Sequence, residues 1–192
     1  MIELRELVDR FNREMARAAA AGIPEPTALS LATTSGRPSV RMVLLKEATE
    51  RGFVIYTNLE SRKGRELATN AWAALCFWWG PIHTQIRVEG RVEAVTPAEA
   101  DAYFASRPRA KQLGAWASRQ SDPIPSRDAL FDGVARIEDQ YRGKDIPRPP
   151  YWTGIRVVPD RIEFWYGHED RLQERFEYRL EHGVWVERIL SP

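Results

Sequence analysis

The chain has 192 residues, 43% of them hydrophobic, enough apolar material to bury a sizeable core. Charged residues make up 29% but nearly cancel to a net charge of +1, so nothing at whole-chain level points to nucleic acid or a membrane surface. No stretch approaches the roughly 18 apolar residues of a membrane span, and the single cysteine, Cys76, excludes an intramolecular disulfide. A cytoplasmic protein is expected, with Cys76 as a plain core residue of an apolar run.

Residues 2–21 read as an amphipathic helix, with Leu4, Leu7, Val8, Phe11, Met15 and Ala18 at helical spacing. Gly22, Pro24 and Pro26 end it. Strands are expected over 28–33, 39–46 and 52–57, separated by the turn Ser35-Gly-Arg-Pro38 and a second break near Gly52. Ser61 is a candidate N-cap for a short helix to Thr69. Residues 73–79 and 82–95 read as strands split by Gly80-Pro81. Thr96-Pro97 with Glu99 starts a helix that runs to about Ser106. Two more helices are expected over 111–117 and 126–141, then a basic, proline-rich loop over 144–151. Residues 151–158 and 161–166 read as two strands, and a hairpin over 175–189 turns at His182-Gly183. The pattern predicts a mainly β, α+β fold, an antiparallel barrel with helical additions, forming one domain over 1–192. Within it, 1–22 is the N-terminal helix, 23–95 and 150–192 supply strands, and 96–142 is helical.

The motifs of the common nucleotide-binding and hydrolase folds are missing: no G-x-G-x-x-G, no G-x-x-x-x-G-K-[ST], no G-x-S-x-G. His83, His168 and His182 have no metal-ligand spacing, and no metal is expected. Basic residues instead flank apolar strands. Arg41 and Lys46 bracket Met-Val-Leu-Leu, and Arg62-Lys63 opens a helix, a pattern open to a phosphate site or to solvated strand and helix ends. Tyr103 and Arg107, four apart, share a helical face that suits a second phosphate or simply complements the helix dipole. In the segment 163–176, Trp165 can cover a planar ring, Arg171 and Arg175 can meet an anion, and His168 is a general-base candidate or an ordinary loop histidine.

Several stretches in order resemble the pyridoxamine 5′-phosphate oxidase family: Glu25-Pro-Thr-Ala-Leu29, Arg41-Met-Val-Leu-Leu-Lys46, Tyr56-Thr-Asn-Leu-Glu-Ser-Arg-Lys63, Tyr103-Phe-Ala-Ser-Arg-Pro-Arg109, Gly114 to Ser121, Ile162-Glu-Phe-Trp165 and Arg171-Leu-Gln-Glu-Arg175. The resemblance implies an FMN-binding split β-barrel and a homodimer with FMN at the subunit interface. It implies FMN contacts at Arg41, Met42, Val43, Leu44, Leu45, Lys46, Tyr56, Thr57, Arg62, Lys63, Gln85, Gln120, Ser121, Trp165 and Arg175. The phosphate of a small substrate falls to Lys46, Tyr103, Arg107 and Lys111, with Arg171 and Gln173 near the reacting carbon. The implied reaction oxidises pyridoxamine or pyridoxine 5′-phosphate to pyridoxal 5′-phosphate, with dioxygen as acceptor and hydrogen peroxide as product.

Three departures from the family pattern lie on the substrate side. Gln173 stands where a His is usual and takes up no proton near neutral pH. Lys111 replaces a small hydroxyl residue. The Arg and Tyr of the family's N-terminal extension have no counterpart in residues 1–22, which implies a more open site or a lid from elsewhere. These departures leave two alternatives: a sister oxidase acting on another small reduced aromatic ring, such as a dihydrophenazine precursor, and a non-catalytic carrier of FMN or pyridoxal phosphate.

Overall fold

Helix α1 (Leu4–Ala20) turns Leu7, Val8, Phe11 and Ala18 inward. The computed structural model describes all 192 residues, and this face of α1 closes one side of the main core. Phe11 is fully buried, edge-on to Phe53 and Phe77 with ring centroids 5.0 and 4.9 Å away. Deleting such a side chain leaves a cavity that neighbours fill poorly, so Phe11→Ala is expected to cost about 3–5 kcal/mol. A denaturant titration with unchanged slope checks it.

The strands are β1 (Ala28–Thr34), β2 (Pro38–Leu44), β3 (Glu47–Thr49), β4 (Gly52–Asn58), β5 (Trp72–Trp79), β6 (Thr84–Ala94), β7 (Trp152–Tyr166), β8 (Glu174–Glu181) and β9 (Val184–Ile189). All pairings are antiparallel, in the order β2-β1-β5-β6-β7-β4-β3, with β8 on β7 and β9 on β8. The other helices are α2 (Arg62–Thr69), α3 (Pro97–Ser106), α4 (Arg109–Ala117) and α5 (Arg127–Gln140). Local signals place most of these ends. Thr96 caps α3 by accepting from the Glu99 N–H, Ser126 caps α5, and His182 and Gly183 take the paired positive φ of a tight two-residue hairpin turn.

Two expectations are corrected. Residues 151–158 and 161–166 are not separate strands but the two halves of β7. One side of β7 pairs with β6 from Ile155 to Tyr166; the other pairs with β4 from Trp152 to Val157 and with β8 from Arg161 to Tyr166. Pro159 and Asp160 fall at this change of partner, and an irregularity opposite Glu89 and Gly90 absorbs the offset. Gly90 permits it, because a Cβ there would sit 2.0 Å from the Val158 carbonyl oxygen. Cys76 is not a core residue. Leu75 and Phe77 point inward, leaving Cys76 half-buried on the outer face of β5 beside the exposed Trp78.

A smaller apolar cluster of Phe104, Leu113, Ile146 and Trp152 packs α3, α4 and the proline-rich loop against the start of β7. The space between this cluster and edge strand β2 is the main cavity of the molecule.

Candidate active site

The cavity, about 800 Å³, is lined by β2, the end of β4, the first turn of α2, α3, α4 and the loop after α4. Six cationic side chains line it, Arg41, Lys46, Arg62, Lys63, Arg107 and Lys111, and no carboxylate does. Such a wall suits a ligand with more than one anionic group.

One end is built on the start of α2. Ser61 caps the helix by accepting from the Gly64 N–H, and Gly64 lets the turn close against the Leu59 carbonyl, which a Cβ would meet at 2.1 Å. The capped turn aims Arg62 and Lys63 into the cavity. The Arg62 backbone N–H donates to Ser121 Oγ at 3.2 Å. Lys63 Nζ donates to Ser61 Oγ at 3.1 Å and to Gln120 Oε1 at 2.8 Å. Burial, helped by nearby Arg41, pushes Lys63 down to about 8. An anion bound there favours the charged ammonium. The affinity of a phosphate-bearing ligand is therefore expected to fall as pH rises through about 8, with proton uptake on binding above that pH. Titrations at pH 7 and pH 9.5, in buffers of different ionisation enthalpy, check both the sign and the proton.

The other end is aromatic and cationic. Tyr103 stacks on Tyr56 with centroids 3.9 Å apart, and Tyr56 stacks on Trp152 at 5.1 Å, both tilted by only 15°. Arg107 lies over Trp152, 4.7 Å from the ring centroid. Arg107 is not on a shared helical face with Tyr103, as the spacing suggested: it is the extended residue just after α3, yet both side chains line the cavity. Its Nη1 is buried without a hydrogen-bond partner, an orphan donor that an anion in the cavity can satisfy.

The predicted site residues thus separate into two groups. The cavity collects Arg41, Met42, Val43, Leu44, Lys46, Tyr56, Thr57, Arg62, Lys63, Tyr103, Arg107, Lys111, Gln120 and Ser121. Leu45 points instead into the main core. Gln85, Trp165 and Arg175 do not line the cavity; they form a register row across β6, β7 and β8, continued by Trp78 on β5. Glu163 is buried beside this row, where Arg175 Nε donates to it at 2.9 Å and Arg87 pairs with its other oxygen. Burial alone raises a carboxyl, but the two arginines outweigh it and hold Glu163 below its ordinary range. Arg171 and Gln173 lie outside the cavity too, in the turn between β7 and β8. Arg171 has φ 61°, and Gln173 Oε1 accepts the His168 N–H at 2.8 Å, so the glutamine ties the turn together.

Sequence reasoning missed Trp152, Asn58, Ser39 and Ser118 in the cavity wall. It also missed Glu66, which pairs with Arg41 and Arg62 from behind that wall. The four-residue step from Arg62 to Glu66 on a helix was the signal available for the last.

Comparison with known proteins fits this geometry. Residues 15–141 match the family described as pyridoxamine 5′-phosphate oxidase, and residues 152–192 match the pyridoxine 5′-phosphate oxidase C-terminal dimerisation region. The pyridoxine/pyridoxamine 5′-phosphate oxidase of Myxococcus xanthus (strain DK1622) is 54% identical over 187 residues, covering 96% of this chain and 91% of its own. The protein of that name from Synechocystis is 51% identical over 185 residues, covering 95% and 86%. The structure of PhzG from Burkholderia lata 383, in complex with tetrahydrophenazine-1-carboxylic acid, superposes with a TM-score of 0.91 at 34% identity, covering 96% of this chain and 92% of that one. The sheet and helices are those of the split barrel. With one family matched along nearly its whole length, the chain belongs to the pyridoxamine 5′-phosphate oxidase family.

Proposed function

We propose that the chain binds FMN and oxidises pyridoxamine or pyridoxine 5′-phosphate to pyridoxal 5′-phosphate, with dioxygen as acceptor and hydrogen peroxide as product. The observation that carries this reading is the carboxylate-free wall of six cations around one cavity, with an orphan donor on Arg107 at its aromatic end. Both the cofactor and the substrate bear a phosphate, and two separated cation groups fit two phosphates.

Arg41, Arg62 and Lys63, with Ser121 and Gln120, fit the cofactor phosphate; Lys46, Tyr103 and Arg107 fit that of the substrate, and Lys111 adds a cation at that end. When bound, FMN would supply the redox chemistry, as the acceptor of a hydride from the substrate's 4′ carbon and the donor of those electrons to dioxygen. The protein's share is position: gripping the phosphate fixes the substrate ring relative to the cofactor. The flavin is proposed to lie at a dimer interface, where Gln85, Trp165, Arg171 and Arg175 of the second copy face it. Gln173 stabilises the turn that carries Arg171.

A yellow purified protein that bleaches anaerobically with pyridoxamine 5′-phosphate, and releases peroxide in air, is the expected result. A flavin-bound protein inert to both phosphorylated vitamers overturns the substrate. Lys111 and Gln173 favour, in that outcome, oxidation of another small reduced ring, which dihydrophenazine-type carboxylic acids test.

A further inference from the structure

Glu66 is a buried carboxylate that lines no part of the cavity yet contacts two of the arginines that do. Its Oε2 accepts from Thr33 Oγ1, from Ser39 Oγ at 2.6 Å and from Arg41 Nη2 at 3.1 Å. Its Oε1 accepts from Arg62 Nε at 2.9 Å. The network closes on itself, because Arg41 Nη1 also donates to Thr33 Oγ1 at 2.6 Å and to the Leu31 carbonyl at 3.1 Å, and Arg41 Nη2 to Ser39 Oγ.

The two arginines are left in different states. Arg41 has committed both terminal nitrogens to the protein and stands as a fixed charge in the wall. Arg62 has committed Nε to Glu66, so its two terminal nitrogens remain to meet a ligand. Like charges on two cavity guanidiniums repel, and the carboxylate between them offsets that repulsion. Hydrogen bonds from Ser39 first, then Thr33, with the two arginines, hold Glu66 down to about 2, so it stays an anion at any working pH.

We infer that Glu66 is a positioning residue for anion binding: it fixes Arg41 and aims Arg62 so that a flavin phosphate meets an ordered pair of cations. The inference rests on the FMN reading above. It makes a prediction opposite in sign to charge counting. A carboxylate behind an anion site repels the anion, so simple Coulomb reasoning has Glu66→Gln tighten phosphate binding. Positioning has it weaken.

The test uses the full-length chain freed of flavin, titrated with FMN and with riboflavin, which lacks the phosphate. Glu66→Gln is expected to weaken FMN binding by about tenfold or more, the effect of one misplaced charge-assisted hydrogen bond. Riboflavin affinity is expected to stay within about twofold, reporting an intact fold and ring site. In an Arg62→Ala background the same change is expected to lose most of its effect, because the coupling partner is gone. FMN binding that is unchanged or tighter in Glu66→Gln overturns the inference. Should that variant fail to fold, Ser39→Ala keeps the carboxylate and removes one of its donors. It is expected to weaken FMN alone by a few-fold, and no change overturns the inference equally. Equal affinity of the unaltered chain for FMN and riboflavin overturns the phosphate reading and this inference together. A preference for FMN over riboflavin that is as large in Glu66→Gln as in the unaltered chain overturns this inference alone.

Discussion

Arg107→Met is expected to lose about a hundred- to a thousandfold in kcat/KM for pyridoxamine 5′-phosphate while its FMN content stays near that of the unaltered chain. A charge-assisted hydrogen bond contributes about 1.5–3 kcal/mol and a guanidinium can give a phosphate two, about 3–6 kcal/mol together, and the lower part of that range corresponds to the stated loss. Arg107 is primed to give them. Burial lowers its pKa from the usual arginine value, partly offset by Tyr103, and its Nη1 has no partner within the chain. An orphan buried donor is costly, and a phosphate is the ligand that removes the cost. Methionine keeps much of the packing over Trp152, so the Tyr103–Tyr56–Trp152 stack is expected to survive. Lys111→Ser offers a scale. Lys111 is exposed on the first turn of α4, and losing a solvated cation there is expected to cost no more than about tenfold. Steady-state peroxide release gives kcat/KM, and the visible spectrum gives flavin content. Flavin lost along with activity in Arg107→Met assigns this arginine to the cofactor instead.

The parts of the fold that were legible in the sequence are those set by near neighbours. Ser61, Thr96 and Ser126 each cap a helix by accepting from an N–H three residues on, so a few letters suffice. β7 was misread because its continuity depends on β6, β4 and β8, whose positions no local pattern reveals. Pro159-Asp160 looks like a turn and is instead the seam between two partners. Cys76 was misplaced for a related reason. Both faces of β5 are apolar, Trp72, Ala74, Cys76 and Trp78 outward and Ala73, Leu75, Phe77 and Trp79 inward, so alternation of polarity could not tell them apart. Resemblance to the family supplied the site residues as one set. Which of them meet within one chain is a property of the folded sheet, and only the fold separates the cavity group from the row Gln85–Trp165–Arg175.

That separation gives the second large expectation. When an Arg62→Ala/Lys63→Ala chain and a Trp165→Ala/Arg175→Ala chain are each flavin-free, subunit exchange between them is expected to restore about a quarter of the flavin sites. Trp165, Arg171, Gln173 and Arg175 all lie in residues 152–192, the part that matches a dimerisation region, and none lines the cavity of its own chain. Val40, Met42 and Leu44 on edge strand β2, and Trp78 beside the row, expose apolar side chains on the surfaces a second copy would cover. A two-fold axis that sets the row of one copy against the cavity of the other forms two equal sites, each drawing on both chains. Equal mixing gives about half mixed dimers, and each of these has one site with both halves unaltered and one with both halves damaged. Flavin absorbance and peroxide release should therefore return together, to about a quarter of the unaltered level. A site built within one chain behaves differently, because every chain in the mixture then carries its own damage. No recovery on mixing, with dimer exchange verified by a tagged subunit, overturns a site shared between two chains, and flavin retained by the Trp165→Ala/Arg175→Ala chain on its own assigns the row to some other duty.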